Sequence, residues 1–72
     1  MEVSWLEARI IVAARTRLRE AREDRMRFER QMDMADNDDL LILSALMETE
    51  AVLANEVVLL LLRKLREKVS AV

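Results

Sequence analysis

From Asp39 to Val69 the chain holds no helix-breaking residue and carries apolar side chains on nearly every side, and this stretch limits the fold more than any other. Stepping 100° per residue, Leu40, Leu43, Met47, Ala51, Ala54, Val58, Leu61, Leu65 and Val69 fall on one stripe at spacings of three and four. A second line, Ile42, Leu46, Leu53, Val57 and Leu60, lies outside it, and so does a third, Leu41, Ala45, Val52 and Leu59. The polar strip is narrow: Thr49, Glu56, Arg63 and Glu67, with Glu48, Asn55 and Arg66 beside them. A helix apolar round so much of its circumference is covered on several sides or sits in a membrane.

The membrane alternative fails on its charges. Glu48, Glu50 and Glu56 fall between Leu40 and Leu62, and an ionised carboxylate near a bilayer centre costs about 3 kcal/mol. No uninterrupted apolar run approaches the roughly 18 residues of a spanning helix. Cover by protein is therefore expected, with no membrane partner.

Glycine, proline, cysteine, histidine and tyrosine are all absent from the 72 residues. That composition points to an all-α fold and excludes disulfides, conventional zinc sites and Cys- or His-based nucleophilic catalysis. The net charge of -2, with signs interspersed, selects no class of partner. Met1-Glu2-Val3-Ser4 lacks the basic start of a signal peptide, so a cytoplasmic location is expected.

Ser4-Trp5-Leu6-Glu7 fits the S-x-x-E capping box, with Val3 and Ala8 at the staple positions, and predicts a first helix over about 5–35. Its apolar stripe reads Leu6, Ile10, Ala13/Ala14, Leu18, Ala21, Phe28, Met32 and Ala35, interrupted by Arg25. Asp36-Asn37-Asp38-Asp39 is the one interior cluster of turn and capping residues. Asn37 is expected in the left-handed conformation and Asp38 as the cap of a second helix over about 39–69. A turn this short makes the helices antiparallel.

Centring the turn on Asn37 and Asp38 makes facing residue numbers add to about 75. Leu6 then meets Val69, Ile10 Leu65, Ala14 Leu61, Leu18 Val57, Ala21 Ala54, Phe28 Met47 and Met32 Leu43. Arg25 falls opposite Glu50, each the charge that interrupts its own helix, and the two are predicted to form an interhelical salt bridge. Trp5, Ala8 and Val12 make a further apolar line at the open end of the hairpin. The residues expected to face other copies of the chain are Trp5, Val12, Leu46, Leu53, Val57 and Leu60. A four-helix dimer is favoured, with a six-helix trimer as the competing arrangement.

Other chemistry finds little support. Arg15, Arg17, Arg19, Arg22, Arg25, Arg27 and Arg30 make the middle of the first helix basic. With no aromatic among them to stack on bases and no net positive charge, they read as a solvated face with pairs such as Arg19/Glu23 and Arg25/Glu29 rather than a nucleic-acid surface. Glu48, Glu50 and Glu56 could gather at a bundle axis, but the Glu-x-x-His motif of carboxylate-bridged metal sites is missing. The aspartate cluster lacks the Gly and distal Glu of a calcium loop. No catalytic, cofactor or metal residue is expected.

The hairpin pattern resembles the repressor-of-primer type of antiparallel hairpin dimer. The Asp-rich turn, the Ser4–Glu7 box and the inner-helix run Leu40-Leu41-Ile42-Leu43-Ser44-Ala45-Leu46 are similar to computationally designed helical-hairpin homo-oligomers with polar core residues. Both resemblances imply a self-assembling bundle without catalysis. The alternative from the residues alone is an interaction module whose apolar open end takes a foreign helix or a small hydrophobic molecule.

Overall fold

The computed structural model describes the backbone of residues 2–70 and the side chains of residues 5–69. Two α-helices, α1 (Glu2–Gln31) and α2 (Asn37–Ser70), pack antiparallel as a hairpin, and no strand occurs among the described residues. The molecule is a rod of 55 × 17 × 12 Å.

The helix ends differ from expectation, and the reasons are local. α1 begins at Glu2, so Ser4 lies within the helix rather than ahead of it. The side chains of Val3 and Ser4 lie outside the described residues. Glu7 Oε2 lies 3.4 Å from Lys64 Nζ on the other helix.

α1 stops at Gln31, four residues before Ala35, because Asp33 offers the backbone another partner. Its Oδ1 accepts from the Ala35 N–H at 2.9 Å, and its carbonyl accepts from the Asp36 N–H at 3.0 Å. The Asp33 N–H in turn donates to Asp39 Oδ2 at 2.8 Å. Asp36, not Asp38, caps α2: Oδ1 accepts from the Asp38 N–H at 2.9 Å and the carbonyl takes the first helical bond from Leu40. Asn37 is the first residue of α2, and no described residue has a positive φ, so the left-handed conformation expected there is not adopted.

The seam between the helices repeats every seven residues. On α1 it runs Glu7, Ile11, Ala14, Leu18, Ala21, Arg25, Phe28 and Met32. On α2 it runs Asp39, Leu43, Leu46, Glu50, Leu53, Val57, Leu60 and Lys64. With Thr16, Ala54 and Glu56, these are all the described residues that are not exposed. Steps of four and three alternate along both rows, the 3.5-residue period that keeps a contact line on one side of a helix.

This is a different face of α2 from the expected one. Leu46, Leu53, Val57 and Leu60, assigned from sequence to contacts between copies, lie on the seam within one chain, where Val57 lies by Leu18 as the facing pairs also predicted. Val57 shares a groove with Val12 and Leu18, and Leu60 another with Ile10 and Ile11. Leu40, Met47, Val58, Leu61, Leu65 and Val69, assigned to the hairpin core, are exposed, as are Leu6 and Ile10. The charges explain the rotation. Glu50 and Ala51 are neighbours, about 100° apart on the helix, and cannot both face α1. A seam through Glu50 and Lys64 gives each charge a partner on α1, whereas the opposite rotation would strand Arg25 and Glu7 against alkyl groups.

Among the described residues only Ala14 and Val57 are buried. The hairpin has an alignment but hardly a core.

Candidate assembly interface

The polar elements of the seam fix its register. Arg25 Nε lies 2.5 Å from Glu50 Oε2, and Arg25 Nη1 2.5 Å from Glu29 Oε1. Arg22 Nε reaches Glu50 Oε1 at 3.0 Å. Glu50 therefore sits between two guanidinium groups, with its side chain 15 % exposed. The hydrogen bond from Arg25, then that from Arg22, hold its carboxyl below the ordinary carboxylate range. The bonds to Glu50 and Glu29 raise the Arg25 guanidinium further above its already high value.

The two edges of the seam are distinguishable. Arg17 Nη2 meets Glu56 Oε1 at 2.9 Å on one edge, while Arg22 reaches Glu50 from the other. Three of the arginines read from sequence as a basic face, Arg17, Arg22 and Arg25, thus bridge the helices, and Arg27 pairs with Asp24 along α1.

On the Arg22 edge, α2 presents a second row one residue on from the seam: Leu40, Ser44, Met47, Ala51, Ala54, Val58, Leu61 and Leu65. It has the same alternation of four and three, contains no charge, and is turned about 100° from the first. All but Ala54 are exposed, and Met47, Val58, Leu61 and Leu65 are each about half so or more. The stripe read from sequence shares Leu40, Met47, Ala51, Ala54, Val58, Leu61 and Leu65 with this row, while its Leu43 lies on the seam.

At the open end, Trp5 and Val12 are exposed, with Ala8 between them on the same side of α1. The Arg9 guanidinium stacks 5.0 Å from the Trp5 ring centroid, which covers one face of the indole. Further along that side Arg15, Arg19 and Arg22 line an open groove of about 410 Å³ with Val12, Leu18 and Val57. The groove is a surface furrow, not an enclosed pocket.

Among the described residues no group of three or more carboxylates gathers where it could hold a metal ion, and no helix is long and apolar enough to cross a membrane. No protein-family model, curated protein or solved structure matches the chain.

Proposed function

We propose that this chain is a structural self-assembly module without catalytic activity, its partner a second copy of itself, and the product a four-helix bundle of coiled-coil type. The observation that carries the reading is the surface left uncovered by the hairpin. A folded monomer of 8.4 kDa exposes about 4,600 Å² by the usual size scaling, whereas this chain exposes 5995 Å². The excess, about 1,400 Å² per chain, corresponds to an interface of about 2,800 Å² in a dimer, within the range of obligate homodimers.

The arrangement of that surface supports the same conclusion. A helix in a four-helix bundle contacts two neighbours on adjacent faces, and α2 carries two seven-residue rows about 100° apart, one of them already used by α1. The resemblance to designed helical-hairpin oligomers, including charged pairs set into the seam, accords with it. Molar mass by light scattering at micromolar concentration is the test: twice the chain mass is expected, and a stable, fully helical monomer would overturn the reading.

The exposed Trp5 and Val12 favour a second reading, in which the open end takes a foreign helix or a small apolar molecule. That reading requires the monomer which the first forbids.

A further inference from the structure

The outward row of α2 reads almost the same in either direction. Its midpoint lies between Val52 and Leu53, and inversion about it exchanges Ala51 with Ala54 and Met47 with Val58. The same inversion exchanges Leu40 with Leu65, and Ser44 with Leu61. Small side chains thus meet at the centre, where two backbones come closest, and leucines close both ends.

We infer that two copies pair through α2 on α2, antiparallel, about a two-fold axis passing beside Val52 and Leu53. The inference rests on the self-assembly proposed above and adds the face and the orientation. A two-fold interface is self-complementary, so a row that maps onto itself under inversion is the pattern it demands.

Charge decides between this orientation and a parallel one. The turn and first residues of α2 carry Asp33, Asp36, Asp38 and Asp39, while the last turns carry Arg63, Lys64, Arg66 and Lys68 against a single Glu67. Parallel copies gather all the aspartates at one end, within a Debye length of one another. Antiparallel copies bring Asp39 of one chain level with Arg66 of the other, and oppose the helix dipoles as well. The flanking residues agree: Leu41 comes near Leu62 of the second copy, and Glu48 near Asn55, so no carboxylate faces its own image.

Distances between spin labels test the orientation. Asn37→Cys and Val69→Cys are labelled separately, both sites being exposed and outside the paired row. At 1.5 Å per residue, antiparallel pairing separates equivalent labels by about 45 Å at residue 37 and about 50 Å at residue 69. Parallel two-fold or three-fold assembly brings both pairs within about 25 Å, the width of a small bundle. Light scattering on the labelled samples accompanies the measurement. Twice the chain mass with long distances at both sites is the expected result. An oligomer with short distances, or three times the chain mass, overturns the antiparallel pairing and leaves self-assembly standing. A monomer showing no distance between chains overturns both.

Discussion

Replacing Val58 with glutamate separates a protein that works as a lone hairpin from one that works as a pair. In the hairpin Val58 is 49 % exposed. A surface substitution of this kind changes the stability of an isolated chain by no more than about 0.5 kcal/mol. In the two-fold pair the same position faces Met47 of the second copy, and symmetry places two new carboxylates in an uncharged row. Taking about 2 kcal/mol for each, less than the several kcal/mol of a fully buried unpaired ion, the dissociation constant rises about 1,000-fold. Sedimentation equilibrium between about 1 and 100 µM reads that change against the concentration regime of the measurement. Circular dichroism on the same samples reports whether the helices persist. The expected result is a dimer for the parent chain and a monomer, or a loosely helical chain, for V58E. Glu20→Gln, on the exposed outer side of α1, serves as the control and retains the parent's mass. If V58E keeps both the mass and the concentration-independent melting of the parent, the row does not face another copy, and the uncovered 1,400 Å² per chain, about a quarter of the surface, has some other explanation.

Val57→Ala truncates the larger of the two side chains buried among the described residues and costs about 1.5 kcal/mol by thermal or urea unfolding, whereas Val52→Ala on the exposed side of α2 costs under about 0.5 kcal/mol. Asp36→Ala, which deletes the cap of α2, costs about 1 kcal/mol, and Asp38→Ala less, reversing the order expected if Asp38 were the cap. Because the Glu50 carboxyl is held below its ordinary value, its contribution is complete above pH 4.5 and is lost as the pH falls through the depressed value. Acid titration followed by circular dichroism therefore shows stability falling below about pH 4.5, with a shallower fall in Glu50→Gln. The raised Arg25 value adds no transition in this range, since arginine sheds its proton only in strong alkali. A double-mutant cycle with Arg25→Gln and Glu50→Gln gives a coupling distinguishable from zero, and its absence would remove the register built on that pair.

The hairpin itself is legible in the sequence because nothing competes with it: no glycine or proline interrupts either helix, and the aspartates around residue 36 leave one place for the chain to reverse. The exact ends of the helices are not legible. Asp33 lies in an unbroken helical pattern, and only its hydrogen bonds to Ala35, Asp36 and Asp39 show it ending α1. The face of α2 turned towards α1 is the more instructive case. The stripe that a 3.6-residue period draws through Leu40, Met47, Ala51 and Leu61 is the most apolar line on the helix, and ranking lines by hydrophobicity selects it for the core. Yet Arg25 facing Glu50 is a stronger constraint than any single leucine. An unpaired charge against an apolar neighbour costs more than a leucine left in water. A seam drawn through the pair at the 3.5-residue period takes in Leu43, Leu46, Leu53, Val57 and Leu60 without further choice. The cleaner row is then free to be the outward one. That outcome has a physical logic if the chain assembles as proposed: within one hairpin the short connection already holds the helices together and tolerates charges in the contact, whereas separate copies would have only the contact itself, for which an uncharged row is the better surface.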